Sequence, residues 1–325
     1  MELVMNTYGG KLSVDNNAFV VTNAAGMQRI PCGDIDSITV AKSTVLTSDA
    51  LMLAVDYDIP VRFADKAGNS VGCVWSHKYG SISTIRKGQL AFTASSSAVN
   101  WIKDVITKKM ENQLALLFML QVDSGKDRDM VDKAAAKIDI LIGKVKSLQG
   151  GTVRDVAANL RAYEGNASKI YFNTLNAFIP EAMRFDERTQ HPAKDVANAM
   201  LNYGYGILYG KVENALIRAG IDPYIGVLHR DEYNKPVLSY DVIEIFRVWV
   251  EYIVYSLLAQ DVVTEEYSST DDTGAVWLEG LGRRVLIQSM NDYLSETEQV
   301  GGLRRSRETH IFLLAQKLAQ IFKHY

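Results

Sequence analysis

Three short segments carry side chains that could together handle a phosphate. Leu160-Arg161-Ala162-Tyr163-Glu164-Gly165-Asn166-Ala167 supplies one carboxylate, and Gly226-Val227-Leu228-His229 supplies one imidazole. Asp241-Val242-Ile243-Glu244-Ile245-Phe246-Arg247 supplies two more carboxylates. A carboxylate, an imidazole and a further carboxylate can hold a hard divalent cation while leaving coordination positions open for a phosphate. Each has an ordinary explanation when taken singly. Glu164 falls where a helix meets Gly165, a place where glutamates are usually solvated. A lone histidine such as His229 on an apolar segment is most often a satisfied core residue. Asp241 follows Ser239, a good N-cap, and its charge would suit a helix N-terminus. Glu244 is the hardest to dismiss, because a charge inside Val242-Ile243-Glu244-Ile245-Phe246 needs a partner, a metal or a raised pKa.

Other chemistries lack their signatures. There is no Gly-x-x-x-x-Gly-Lys loop, no Gly-x-Ser-x-Gly elbow, and no zinc spacing among His77, His191, His229, His310 and His324. Cys32 and Cys73 fit neither a ligand pair nor a disulfide framework. The formal net charge of −3 gives no bulk attraction to nucleic acid. A local basic stripe or a bound metal can still supply that field. Basic residues do cluster at Lys108-Lys109, Arg283-Arg284 and Arg304-Arg305-Ser306-Arg307, usually the mark of a solvated face. The apolar stretch around Val248 to Val263 is broken by Glu251 and Asp261, so no membrane span is expected. The opening residues lack a basic, apolar leader, and cysteines are few, which together point to a reducing cytoplasm.

The elements that must position these residues change character near residue 90. Before it, Ala18–Thr22, Asp36–Val40, Pro60–Ala64 and Val71–Trp75 read as strands. Asn- and Gly-bearing turns at Asp15–Asn17, Asn23–Gly26 and Asp65–Asn69 join them, and a short helix covers Ser48–Val55. From Ser96 onward the period is helical: Trp101, Val105, Ile106, Met110, Leu114, Leu117 and Phe118 share one face. A second helix runs through Ile138–Leu148, and Thr152 with Asp155 forms a capping box for a third. Further helices fit Asp195–Gly220, Asp241–Gln260, Leu278–Glu296 and Arg307–Phe322. The fold class is therefore α+β, with a small β-rich N-terminal domain (1–88) followed by a larger all-α domain (89–325) that carries the site.

These residues carry a resemblance to a known family. Leu160-Arg161-x-x-Glu164-Gly165, Tyr171-Phe172 and Asp195-x-x-Asn198-Ala199-Met200-Leu201-Asn202-Tyr203-Gly204-Tyr205 match it, as do Ala219-Gly220-Ile221-Asp222-Pro223, Gly226-x-Leu228-His229 and Asp241-x-x-Glu244-x-Phe246-Arg247. Their order and spacing resemble the catalytic core of CRISPR-associated protein one, the integrase of CRISPR adaptation. Ile38-Thr39-Val40 and Gly68-Asn69-Ser70-Val71-Gly72 resemble its N-terminal domain. Ala162, Val196 and Val248 stand where that family often has glycine, proline and proline, and none of these departures removes a ligand.

The resemblance implies that Glu164, His229 and Glu244 bind Mg²⁺ or Mn²⁺, with Asp241 as an accessory acid. It implies a DNA 3′-hydroxyl attacking a phosphodiester of the CRISPR repeat so that a captured fragment joins the array, or hydrolysis when water attacks instead. DNA, a homodimer joined through the β-rich domains, and CRISPR-associated protein two are the expected partners. Arg161 and Arg247 beside the metal, and Arg283, Arg284, Arg304, Arg305 and Arg307 in the final region, are the candidate phosphate contacts. Two other readings share the same residues. One is a mobile-element integrase or repair nuclease with the same metal site. The other is a non-catalytic DNA-binding module whose carboxylates cap helices.

Overall fold

The structure, a computed structural model, describes residues 2–64, 70–74, 76, 81–120, 125–190, 192–229 and 235–325. Its N-terminal part is built from short strands: β1 (Glu2–Met5), β2 (Lys11–Asp15), β3 (Ala18–Asn23), β4 (Gly26–Pro31), β5 (Ser37–Val40), β6 (Val45–Leu46), β7 (Val61–Ala64) and β8 (Ser70–Val74). One helix, α1 (Ser48–Asp56), starts at Thr47, whose hydroxyl oxygen accepts from the Ala50 amide (3.2 Å). One sheet has the order β1-β5-β7-β8, with parallel pairing from β1 to β7 and β8 antiparallel at the end. The second has the order β4-β3-β2-β6. Asn16 and Asn17 turn β2 into β3 with φ of +44° and +57°, a left-handed pair that asparagine tolerates better than most residues. Leu12, Phe19 and Ile38 are fully buried, and with α1 they give this part an apolar cluster of its own.

Long helices follow: α2 (Ile82–Thr93), α3 (Ser96–Met119), α4 (Gly125–Ser147), α5 (Val153–Ala177), α6 (Val196–Arg218), α7 (Val237–Ile243), α8 (Arg247–Ala259), α9 (Gly280–Ser295) and α10 (Arg307–Lys323). The Thr152 amide donates to the Asp155 carboxylate (2.8 Å) in the expected capping box that opens α5. Helices α3, α4 and α5 pack on one another, α3 also lies against α8, and α6 packs on α8 and α10. Helix α10 closes back on α2, so tightly that a Cβ at Gly88 would lie 1.7 Å from the Phe322 carbonyl oxygen.

An ionic link centred on the buried Lys211 joins the two parts. The Lys211 ammonium of α6 lies 3.2 Å from Glu2 of β1 and donates to Glu308 of α10 (2.8 Å). Thr39 of β5 donates to the other side of the Glu2 carboxyl (2.6 Å).

The expected strands and the Ser48 helix all form, with ends shifted by a residue or two. Three expectations are corrected. The single helix over Asp241–Gln260 is two, α7 and α8, broken at Glu244–Phe246, and Ser239 lies inside α7 with Pro236 at its cap. The part after residue 90 is not all helix, because β9 (Ser268–Thr270) pairs with β10 (Val276–Leu278) and β11 (Thr297–Val300) with β12 (Leu303–Ser306). Arg304 and Arg305 consequently sit on a strand, in a hairpin that periodicity alone does not reveal. The expected turn over Asp65–Asn69, Trp75, His77 and His191 lie outside the described residues.

Candidate metal and phosphate centre

Glu164 stands in the middle of α5, and Glu244 at the break between α7 and α8. The two carboxylates meet at one cation, the ammonium of Lys109 on α3. Lys109 pairs with Glu164 Oε1 and lies 2.5 Å from Glu244 Oε2. Ser168, one turn along α5, donates to Glu164 Oε1 (3.0 Å). Arg247 donates to Glu244 Oε1 (2.9 Å) and lies with its guanidinium carbon 4.2 Å from the centre of the Tyr205 ring. Tyr205 in turn donates to the buried Glu251 (2.8 Å). Burial by itself would push the Glu244 carboxyl up; the charges of Arg247 and Lys109 outweigh it and hold the group down at about 2. Lys109 moves the opposite way from what burial alone would do, with Glu244 and Glu164 raising its pKa. Apart from its ion pair with Lys109, Glu244 Oε2 has no hydrogen-bond partner among the described residues.

The segment from Asp222 to His229 is clamped from three sides. The Asp241 carboxylate, fully buried in α7, accepts from the amides of Val227 (2.7 Å), Leu228 (3.1 Å) and His229 (3.0 Å). It also lies 2.8 Å from His229 Nδ1. Arg161 of α5 donates to the Leu228 carbonyl (2.9 Å). Gln89 of α2 donates to the carbonyls of Asp222 and Ile225 (2.7 and 3.0 Å) and accepts from the Asp222 amide (3.1 Å). Gly226 is needed where it is, since a Cβ there would lie 2.0 Å from the His229 carbonyl oxygen. Tyr240 meets the imidazole edge-on at 6.0 Å. Burial lowers the His229 pKa, but the hydrogen bond and charge of Asp241, with Glu244 behind them, carry it above its ordinary value. With Nδ1 engaged by Asp241, Nε2 is the nitrogen left for a ligand.

The arrangement brings Glu164 and Glu244 onto one cation position, and the charge of Glu244 is felt at His229. Among the described residues, no three side chains of His, Cys, Asp or Glu close into a ready-made metal cage. What is present is a pair of acidic oxygens already gathered around one positive charge, and an imidazole fixed in orientation. That donor set fits a hard divalent ion with open positions. Asp241 reaches the loop and not the Lys109 position, although it is only three residues from Glu244.

The candidate phosphate-contact arginines are placed very differently. Arg161 and Arg247 are tied to the loop and to Glu244. Arg283 donates to the Leu278 carbonyl (2.9 Å), and Arg307 pairs with Glu296 and Glu298 (2.7 and 2.9 Å) across the Tyr293 ring. Arg284, Arg304 and Arg305 are exposed. Sequence reasoning missed Lys109 and Gln89 as parts of the site. Lys109 shares a helix face with Ile102, Val105, Ile106 and Gln113, so the argument that marks Glu244, a charge amid apolar neighbours, also marks it.

Comparison with known proteins gives the family and the fold. The family model described as CRISPR associated protein Cas1 matches residues 3–292. A relative from Archaeoglobus fulgidus, CRISPR-associated endonuclease Cas1 1, is 29% identical over 99% of this chain and 96% of its own length. A solved Cas6-RT-Cas1–Cas2 complex contains a chain matched at TM-score 0.80 and 21% identity, covering 100% of this chain and 35% of that one. A casposase bound to integration product matches at TM-score 0.79 and 21% identity, over 99% and 90%. The fold alone therefore does not separate these two kinds of protein.

Proposed function

Because this chain belongs to the Cas1 family of CRISPR-associated proteins, we propose that it is a metal-dependent DNA integrase and endonuclease of CRISPR adaptation. The observation that carries the metal part is the meeting of Glu164 and Glu244 at one cation position, together with a histidine whose Nδ1 is already committed. In this reading Glu164, Glu244 and His229 Nε2 hold Mg²⁺ or Mn²⁺. When bound, such an ion polarises a phosphodiester and offsets the charge that builds on it during in-line displacement.

The remaining work falls to the chain's own side chains. Asp241 acts as a positioning residue that fixes the His229 tautomer and holds three successive amides. Arg247, stacked on Tyr205, keeps Glu244 ionised and turned toward the ligand position. Arg161 secures the loop through Leu228 and presents positive charge toward His229.

DNA is the substrate: a 3′-hydroxyl of a captured fragment attacks the repeat phosphodiester, and the displaced strand end leaves as a new 3′-hydroxyl. The named assembly of Cas1 with Cas2 among similar structures supports a small second protein as partner. Two opposite-strand attacks at a fixed separation call for two sites, which a symmetric dimer supplies most simply. The β-rich part is the surface proposed for it, and sedimentation of the isolated chain tests that point. The casposase match supports a second target, the terminal repeats of a mobile element, with the same chemistry.

One assay tests the reading. Short duplexes bearing 3′-hydroxyls are incubated with a supercoiled plasmid carrying a CRISPR repeat, with and without Mn²⁺. Joined product that appears only with metal and only at the repeat is expected. Product that forms equally in EDTA defeats the metal reading, and preference for an inverted terminal repeat favours the second target.

A further inference from the structure

Lys109 belongs neither to the proposed ligand set nor to the arginines expected near DNA, yet it stands where both carboxylates end. Its side chain is only 8% exposed. Helix α3 holds it there: one turn on, the Asn112 side-chain amide donates to the Ile245 carbonyl (2.8 Å), tying α3 to the joint that carries Glu244. Two carboxylates brought together away from water repel each other unless a cation stands between them. A divalent ion gripped by those same oxygens and a lysine ammonium exclude each other, by size and by charge. Lysine, unlike arginine, is a compact charge on a flexible four-carbon stem, and it leaves a pair of partners without having to break a fork of bonds. Glu164 is the more open of the two carboxylates, at 26% side-chain exposure against 8% for Glu244, and so gives the displaced ammonium a way toward solvent.

We propose that Lys109 is a resident counter-cation of the metal centre. It gathers Glu164 and Glu244 in the metal-free chain and yields both to a divalent ion when one binds. The proposal rests on the metal reading above and adds a competition to it: the ion must displace a charge that the chain itself supplies. Once displaced, the ammonium stands beside the open positions of the site, where the phosphate would lie.

The test is calorimetric titration of Mn²⁺ into the full chain, stripped with EDTA and dialysed, as wild type, Lys109→Met and Lys109→Arg. Lys109→Met is expected to bind Mn²⁺ about tenfold or more tightly than wild type, the scale of one close charge pair. Lys109→Arg keeps the competing charge and should bind no more tightly than wild type. In EDTA the Lys109→Met melting temperature should fall, and saturating Mn²⁺ should raise it by more than it raises the wild type. Equal or weaker Mn²⁺ binding by Lys109→Met overturns the counter-cation while leaving the metal site standing. No Mn²⁺ binding by any of the three removes the metal reading and this inference together.

If Lys109→Met does not fold, the wild type decides alone. Reductive methylation of Lys109, mapped by mass spectrometry, should be slow in EDTA and several-fold faster with saturating Mn²⁺. An unchanged rate overturns the proposal.

Discussion

Replacing Asp241 by asparagine removes one charge and one acceptor from a fully buried carboxylate that meets four partners. Oδ2 receives the Val227 and Leu228 amides, while Oδ1 receives the His229 amide and faces His229 Nδ1. Asparagine has a single oxygen, which can keep one of these pairs. With the oxygen kept for Val227 and Leu228, the amino group faces the His229 amide with no acceptor between them, and Nδ1 can accept from it only as the tautomer protonated on Nε2. One buried donor left unpaired costs about 1–3 kcal/mol, so the substitution should destabilise the chain by about 2 kcal/mol, within a range of about 1–3. Typical stabilities of about 5–15 kcal/mol leave most of the protein folded. Urea unfolding in EDTA is the assay. The midpoint should fall while the slope stays constant, because the surface exposed on unfolding does not change. Mn²⁺ affinity should weaken about 10–100-fold, the usual cost of losing the group that orients a ligating histidine. A loss below about 1 kcal/mol would mean that the three amides do not depend on this carboxylate, and the account of the loop would fall with it.

Four further outcomes follow from the same geometry. Glu164→Gln should lower strand joining by about 10³-fold or more, if the metal supplies several kcal/mol, yet melt close to the parent in EDTA because Lys109 keeps Glu244 as a partner; loss of the melting transition would assign Glu164 a structural role. Gly226→Ala, whose new methyl meets the His229 carbonyl, should cost at least about 1–3 kcal/mol in urea unfolding and weaken Mn²⁺ binding. Glu2 has its pKa lowered against the 4.5 of a free glutamate: burial opposes this, and Lys211, Thr39 and Arg62 prevail. Its stabilising share is therefore present above pH 4.5 and lost as pH falls below it, so thermal melts of Glu2→Gln and parent should differ most near neutrality and converge in acid. The Arg304→Ala, Arg305→Ala pair should weaken binding to all duplexes alike and reduce the log–log salt slope by up to about 1.8, while unchanged affinity and slope would place the DNA track elsewhere.

Much of this was legible in the residues because the physics is local. Runs of strand-forming residues between Asn and Gly turns located β3, β5, β7 and β8 but not β4 or β6, and period-three-and-four stripes located α3 to α6. The Thr152–Asp155 box marked the start of α5 to the residue. The break at Glu244–Phe246 was not legible: Asp241 to Gln260 reads as one apolar stripe, and only packing against α3 and the pull of Lys109 and Arg247 on Glu244 divide it. The two late hairpins hide for a related reason. Thr297–Val300 and Leu303–Ser306 are too short and too polar for alternation to stand out, leaving Gly301 and Gly302, with φ of +59° and +83°, as the turn signal. Within the site, residue types were readable and directions were not. Asp241 and Glu244, three apart, promised a shared face, but three amides and an imidazole drew the first toward the loop while a lysine and an arginine drew the second toward α5.

The hairpin of β11 and β12 has a bearing on how the protein behaves at high concentration. All of β11 and the first three residues of β12 are exposed, and neither strand pairs with a third among the described residues. Open strand edges of this kind template association with other chains. Val300 and Leu303, each about half exposed, sit at the tip beside them. What guards the ribbon is charge: Arg305 stands opposite Glu298, and Arg304 opposite Gln299. Neutralising both arginines leaves a flat, sticky edge with a greasy end, so light scattering belongs beside any binding curve measured on that variant. The same two residues proposed to meet a phosphate backbone thus also act as gatekeepers of solubility.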